Sequence, residues 1–375
     1  STVLTVNFTF PPNQTPIVRL VADLTDASLS VPSLGLMKEK NQPSNLSADW
    51  DFEKLVNFNF NSRDFKVFGT ALLDNDRKIQ EVKFSKLKLN EYFLGSAFYE
   101  KGDIRNTLKI DGIMYDYSEA PDYNSLDFKT NLDIEIYVSE FKIKKNLIIA
   151  DFVGSFYSTG NVYGLGSGRL NDGPLLQITV EFDDLVQNFS IFSENAGEVL
   201  LESNIYSSGY GGEIAFELTK RPKTDIEGNI NVKNLRVIGA PFLAKLVSFT
   251  SIEGIIDVLS SNGIVFNNIQ AKYRFNKERL TIMDGVAVNS SFGITLSGTR
   301  RMQQKLINYT GVLSPAYSLN GMVKKIPLIG SILGGEEGEG VFGMNYSATG
   351  RINDPEFTIN PFSIIAPGQF RNFFN

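Results

Sequence analysis

Residues 131–141 read NLDIEIYVSEF, and the alternation in this stretch decides the fold class. From Leu132 to Ser139 every second residue is apolar, and the residues between them are acidic or carry a hydroxyl group. Successive side chains of a β-strand point to opposite faces of its sheet. The pattern therefore predicts a strand with one apolar and one polar face. The apolar positions of this strand are Leu132, Ile134, Ile136 and Val138.

The same alternation recurs along most of the chain. Turn signals at residues 73–76, 171–174, 211–212 and 353–355 separate the runs. A spacing of about 8–12 residues is typical of an antiparallel meander, and we predict about twenty short strands. The further apolar positions that we assign to the same kind of face are Leu108, Ile110, Ile178, Val180, Phe182, Ile226, Ile230, Val232, Ile294 and Leu296.

A twisted open sheet of more than roughly ten strands must curl, split or close. Three architectures therefore fit the pattern: stacked sandwiches, a closed barrel, or a long sheet curled into an open hydrophobic groove. Periodicity alone does not separate an apolar face that lines a groove from one that forms a sandwich core. The number of strands, each with one apolar face, and the scarcity of helices to cover them favour the groove.

The composition excludes several classes of function. The chain has 375 residues and a net charge of −6, which argues against nucleic acid as a partner because phosphate binding needs a basic surface. It contains no cysteine and no histidine. Histidine-based triads, imidazole metal sites, thiolate sites and disulfides are therefore excluded. A hydrolase that uses carboxylates alone remains possible in principle.

Two short motifs invite a chemical interpretation that their context does not support. Gly164-Leu165-Gly166-Ser167-Gly168 lacks the GK[ST] ending of a phosphate loop, and we interpret it as a loop or bulge. Glu336, Glu337 and Glu339 lie in GGEEGEG without EF-hand spacing, so we interpret this segment as a solvated loop. The triplets at 110–112, 226–228 and 296–298 suggest turns that end strand pairs in a loose repeat.

Residues 239–263 read GAPFLAKLVSFTSIEGIIDVLSSNG and depart from the alternation. Lys245, Glu253 and Asp257 make a membrane span unfavourable. Apolar residues at helical spacing predict a pair of amphipathic helices over 240–262, and a further helical segment is predicted over 316–334. The apolar positions of the pair, expected to face the end of the groove, are Phe242, Leu246, Ile255, Ile256 and Leu259.

The terminal segment, residues 360–375, carries a large apolar load and only one charged side chain, Arg371. Such a segment either packs against the rest of the protein or contacts a membrane or partner. Its candidate docking residues are Ile364, Ile365, Phe370, Phe373 and Phe374.

The C-terminal part resembles a known family. GAPFLAKLVSFTSIEGIIDVL, LSPAYSLNGMVKKIPLIGSILGG and GRINDPEFTINPFSIIAPG follow the order seen in the AsmA-like C-terminal region of the YhdP/TamB-type proteins of Gram-negative bacteria. LSVPSLGLMKEKNQPSNL, at 29–46, is similar to a stretch of the YhdP-like central region, with Met37 where that family often has Trp. The resemblance divides the chain into residues 1–115 and 116–237 of a β-groove and an AsmA-like region at 238–375.

The resemblance implies a bridge-like lipid transport protein. Its groove carries phospholipid acyl chains between the inner and outer membranes of the cell envelope, without enzymatic activity or cofactor. It also implies a periplasmic location and an inner-membrane anchor preceding Ser1. We accordingly expect a fragment of a longer protein, because the sequence opens directly on a strand pattern at STVLTVNFTF. The alternative is a structural or adhesive β-sandwich protein without lipid cargo. The sequence names no protein partner.

Overall fold

The computed structural model describes residues 3–10, 12, 15–31, 36–120, 131–183, 185–238, 263–290, 292–315, 344–352 and 354–360. These residues form 24 strands and one helix. The chain divides into two compact units, Ser1–Gln187 and Asn188–Asn375.

The first unit is built from strands alone in its described part. They are β1 (Val3–Thr9), β2 (Ile17–Asp23), β3 (Leu29–Val31), β4 (Leu36–Lys38), β5 (Ser44–Trp50), β6 (Leu55–Ser62), β7 (Phe65–Leu73), β8 (Ile79–Leu89), β9 (Phe93–Glu100), β10 (Asn106–Asp116), β11 (Leu132–Lys144), β12 (Leu147–Ser158), β13 (Val162–Leu170) and β14 (Leu175–Asp183).

These strands pair almost entirely in chain order. β1 pairs with β2, β2 with β5, and each strand from β5 to β14 pairs with the next. All pairs are antiparallel except β10–β11, which is parallel. β3 and β4 form a separate hairpin between β2 and β5. The order is that of a meander, as the turn spacing predicts.

The sheet of the first unit curls. Register shifts interrupt the β7–β8, β8–β9, β9–β10, β11–β12 and β12–β13 pairs, and such bulges bend the strands that carry them. Extensive contacts among the described residues link only strands that are neighbours in the sheet. One face is nevertheless shielded from solvent: Val138 and Phe152 on that face are 3% and 7% exposed. A sheet of a single layer can shield one face from solvent when it curves so that this face is concave.

The second unit contains β15 (Val186–Ser193), α1 (Ala196–Glu202), β16 (Gly209–Tyr210), β17 (Glu213–Lys220), β18 (Ile226–Val237), β19 (Ile264–Phe275), β20 (Arg279–Val288), β21 (Phe292–Arg301), β22 (Leu306–Pro315), β23 (Met344–Arg351) and β24 (Asp354–Asn360). β17 to β24 pair in sequence order, all antiparallel, and β16 pairs with the far end of β18.

The predicted fold class is confirmed: the described chain is mostly β, with long, open and curled sheets rather than a closed one. Two local expectations are wrong: the triplets at 110–112, 226–228 and 296–298 lie inside β10, β18 and β21, and α1 was not expected. Residues 164–168 lie inside β13 and not in a loop, but the β12–β13 register shifts opposite Gly168, which agrees with the alternative of a strand bulge. The predicted helices over 240–262 and 316–334 lie outside the described residues, as do Glu336, Glu337 and Glu339. The division at residues 115 and 237 concerns sequence regions and stays a prediction.

Candidate functional site: the apolar face

In the first unit, apolar residues form continuous rows across all twelve strands of the sheet. The central row runs perpendicular to the strands, each residue directly opposite the next. It consists of Val6, Leu20, Ala48, Phe58, Gly69, Phe84, Ala97, Ile110, Ile136, Gly154, Gly166 and Ile178. Residues in direct register share one face of a sheet. The row contains no charged or hydrogen-bonding side chain.

A second row lies beside the central one, two residues further along each strand. It consists of Phe8, Val18, Trp50, Val56, Ala71, Val82, Tyr99, Leu108, Ile134, Phe156, Gly164 and Val180. A third, on the other side, runs from Leu4 through Phe60 and Gly112 to Val138 and Phe152. We call these three rows together the apolar face of the first unit.

Accessibility changes along this face. Near β1 the side chains are exposed, with Leu4 at 61% and Phe8 at 59%. Phe58, Phe84, Ile110 and Ile136 further along are half-buried. At the strand ends beside the third row, aromatic side chains close the face, because Leu89, Tyr92 and Phe93 form a buried cluster that Tyr115 packs against. The face is thus apolar throughout but only partly shielded.

The opposite face, which we call the polar face, carries the charged residues and, on β12 to β14, also exposed apolar residues such as Val153 and Leu165. Arg19 donates two hydrogen bonds to Asp49, at 2.6 and 2.8 Å, and these bonds lower the pKa of the Asp49 carboxyl group. Lys109 forms an ion pair with Glu135 at 3.0 Å. These exposed pairs bind neighbouring strands and contribute little individually to stability. They show that β2, β5, β10 and β11 each keep charges on one face only.

A depression of the first unit lies on this polar face. It has a volume of 1120 Å³ and crosses β8 to β14. On each of these strands the lining includes the central-row residue and the residues before and after it, for example Ile110 with Lys109 and Asp111. It does not include Ile134 or Val138 of the adjacent apolar rows, so the depression lies on the side to which Lys109 and Asp111 point. Because a twisted sheet has the shape of a saddle, each of its two faces is concave along one direction. The lining of the depression mixes charged residues such as Lys109 with exposed apolar residues such as Val153 and Leu165, so it is less uniformly apolar than the rows on the other face.

In the second unit, apolar rows again cross the sheet. One row consists of Ile214, Val232, Ile269, Ala287, Ile294, Leu313 and Met344. Another consists of Leu218, Gly228, Tyr273, Ile282, Gly298, Tyr309, Ala348 and Phe357. α1 packs near one end of this sheet through its buried residues Val199 and Leu200, and Asn195 caps the helix by accepting a hydrogen bond from the Glu198 N–H group.

Glycines in the strands lie under aromatic rings. Tyr273 lies opposite Gly228, and its hydroxyl group donates to the Glu217 carbonyl oxygen on the next strand, at 3.0 Å. Tyr346 crosses Gly311 in the same way and donates to the Thr295 carbonyl oxygen at 2.7 Å. The absence of a Cβ lets each ring cover the backbone. These glycines are therefore part of the apolar face and not turns.

Burial changes the acidity of the tyrosines on this face. It raises the pKa of Tyr273 to about 12, and it also raises the pKa of Tyr346. Both hydroxyl groups are thus neutral hydrogen-bond donors at physiological pH and add no charge to the apolar face.

The Lys-bearing stretch at 29–46 has a structural role. Lys38 is 1% exposed, and its ammonium group donates to the carbonyl oxygens of Thr25, Ala27 and Glu39 at 3.1, 2.7 and 3.0 Å. This lysine fastens the β3–β4 hairpin to the loops around it. It lies away from the apolar rows and carries no solvent-facing charge.

The structure places the predicted groove residues on common faces. In the first unit, Leu108, Ile110, Ile134, Ile136, Val138, Ile178 and Val180 belong to the apolar face, and Leu132 and Phe182 lie on the same side of the sheet, beside the second row. In the second unit, Ile226, Ile230, Val232, Ile294 and Leu296 share one face. The helix-pair positions Phe242, Leu246, Ile255, Ile256 and Leu259 lie outside the described residues, as do the docking positions Ile364, Ile365, Phe370, Phe373 and Phe374.

Sequence reasoning missed the apolar residues of β5 to β9, among them Phe58, Phe60 and Phe84. Their signal was present, because residues 56–60 alternate between apolar residues and asparagine. It also missed Trp50, the only tryptophan of the chain. Trp50 lies in the second row, and its indole nitrogen is buried without a hydrogen-bond partner in the described part of the protein.

No family model, curated protein or solved structure matches this chain. Within the described residues no helix is long and apolar enough to cross a membrane.

Proposed function

We propose that this protein binds lipid acyl chains along the apolar faces of its sheets and transfers them within the cell envelope. The observation that carries the proposal is the set of apolar rows that cross twelve strands of the first unit without a covering layer among the described elements. An exposed apolar surface of this length needs a partner. An acyl chain matches it in chemistry.

The rows suit a ligand that moves. Burying a methylene group is worth about 0.8 kcal/mol. At each strand the central row presents one apolar residue, which is Ile, Leu, Val, Phe, Ala or Gly. A chain that slides by one strand exchanges one apolar contact for a similar one. Its free energy therefore changes little along the row, and no deep trap holds it in place.

The proposal requires no catalytic group. The polar head of the lipid remains in water at the margin of the face, while the acyl chain lies on the rows. Neither an enzymatic step nor a cofactor enters this mechanism. The partners it implies are phospholipids and the inner and outer membranes, with the protein in the periplasm, as the family resemblance suggests.

A structural or adhesive sandwich protein is the alternative. A sandwich core needs two sheets packed about 10 Å apart with dry inner faces. The half-buried state of Phe58, Phe84 and Ile136 favours the open face over a core of this kind. A carboxylate-only hydrolase has no support in the geometry, because the charges described above pair across strands on exposed surfaces.

Lipid extraction tests the proposal. The full chain is expressed in a Gram-negative host, purified without detergent, and extracted with organic solvent for mass spectrometry. We expect co-purified phospholipid or fatty acid at a level well above that of an unrelated β-protein prepared in parallel. A lipid level equal to that of the control protein would exclude stable acyl-chain binding and leave the sandwich alternative.

A further inference from the structure

One charged side chain interrupts the apolar rows of the second unit. A third row lies beside the row of Tyr273 and consists of Ile226, Phe275, Leu280, Arg300, Ile307, Gly350 and Pro355. Arg300 is the only charged residue in the three rows of this unit, all of which consist of described residues. It lies one position before the end of β21, at the margin of the face.

One donor of the Arg300 guanidinium group, at the Nε atom, is buried without an acceptor among the described residues. A buried donor without an acceptor is unfavourable, and more so when it is charged. The neighbouring Tyr309 supplies a hydroxyl group on the same face and no negative charge, since burial raises its pKa and Arg300 only partly offsets that effect. Among the described residues, the site therefore offers the Arg300 guanidinium group and the Tyr309 hydroxyl group to an anion, and no carboxylate is paired with Arg300.

The apolar rows start directly beside this group. In β21, Gly298, Leu296 and Ile294 follow Arg300 on the same face. The six residue steps from Arg300 to Ile294 span about 20 Å of strand. This is comparable to the length of an extended long-chain acyl group, so one ligand can reach both features.

We propose that Arg300 binds the anionic head of a lipid, a carboxylate or a phosphate, while the acyl chain lies on the rows of β20 to β24. This rests on the proposed function and adds a preference for anionic amphiphiles. A guanidinium group suits both oxyanions because its N–H groups match their geometry in pairs. The head would thus be held at the margin, and the chain would enter the face in a fixed orientation.

A local probe tests this site in the full chain. The protein has no cysteine, so Phe357→Cys on β24 carries a single environment-sensitive fluorophore near the site. The labelled protein, with Arg300→Met or the control Arg301→Met, is titrated with oleate, with oleyl alcohol and with inorganic phosphate alone. Arg301 is the matched control because it is exposed and lies on the opposite face.

We expect Arg300→Met to weaken oleate binding about tenfold and to leave oleyl alcohol binding unchanged. Arg301→Met should change neither, and Arg300→Lys should retain most of the oleate affinity. Methionine fits an apolar row, so the fold should persist; Arg300→Gln repeats the comparison if the melting temperature of the methionine variant falls.

The other outcomes overturn the assignment in distinguishable ways. If the wild type and Arg300→Met bind oleate with equal affinity, and both also bind oleyl alcohol, Arg300 does not bind the lipid head group, whereas acyl-chain binding by this face stands. Arg300-dependent binding of phosphate as tight as that of oleate means a free-anion site without lipid specificity. Binding of none of the three probes removes both this inference and the proposed function for this unit.

Discussion

A charge placed in the middle of the apolar face should remove lipid without unfolding the protein. Ile136 lies in the central row of the first unit, directly opposite Ile110 on one side and Gly154 on the other. It is half-buried, so an aspartate at this position can keep contact with water. Ile136→Asp therefore tests binding more cleanly than a change at Ile134, which is 7% exposed and where a charge would be buried.

The expected loss follows from the strand spacing. An acyl chain that follows the central row passes one strand about every 4.8 Å, or roughly four methylene groups. At about 0.8 kcal/mol for each buried methylene, contacts at one strand are worth up to about 3 kcal/mol. A hydrated carboxylate that removes half or all of them weakens binding by about 10- to 100-fold.

The assay compares co-purified lipid and the affinity for a fluorescent fatty acid in three proteins. Val153→Asp is the matched control, because Val153 is exposed and lies on the polar face of the neighbouring strand β12. We expect Ile136→Asp to lose lipid and Val153→Asp to retain it, with similar melting temperatures. A folded Ile136→Asp protein with wild-type lipid content would refute the assignment of this row.

Three further predictions concern stability. Gly228→Ala should destabilise the protein by about 1–3 kcal/mol in chemical denaturation, because the new Cβ meets the Glu217 carbonyl oxygen and lies 2.6 Å from the Tyr273 hydroxyl group; a cost near zero would mean that the ring does not cover this glycine. Lys38→Met should cost about 2–4 kcal/mol, because three carbonyl oxygens lose a charged donor, while Lys40→Met on the exposed surface should cost almost nothing. Stability should fall as the pH rises from about 10 to about 12, because the folded protein holds the Tyr273 proton more tightly than the unfolded chain, whose tyrosine pKa is 10.0. Tyr273→Phe should reduce that slope, and an unchanged slope would exclude this tyrosine as its source.

The strands and their faces could be predicted because their signal is local. The alternation around Leu132 to Val138 depends only on the two-residue period of an extended chain, and it places each side chain correctly. The number of strands then makes curling necessary. For the same reason the turn at residues 171–174 follows from its own residues.

Features that depend on a partner strand could not be predicted in this way. Gly228 and Gly298 resemble turn residues in sequence, but each lies inside a strand because a tyrosine on the neighbouring strand covers it. The parallel pairing of β10 with β11 depends on how the chain between them crosses. α1 has only seven residues, too few for helical periodicity to stand out.

Arg300 is an intermediate case. The alternation Ile294, Leu296, Gly298, Arg300 places it on the apolar face, so its position could be read from the residues of β21. The missing acceptor for its Nε atom could not be predicted from the sequence, because the groups near this atom belong to neighbouring strands.

The fluorescence of Trp50 tests the central claim most directly. This only tryptophan lies on the apolar face, 4.9 Å from the Phe52 ring and away from the polar face. The purified protein is loaded with phospholipid whose acyl chains carry bromine, a short-range quencher, and compared with protein loaded with the same phospholipid without bromine. If acyl chains lie on the apolar face, the brominated lipid quenches Trp50 strongly, and Leu20→Asp in the adjacent row reduces the quenching. Equal Trp50 emission with both lipids, at proven lipid occupancy, would contradict the assignment of the apolar face as the acyl-chain surface.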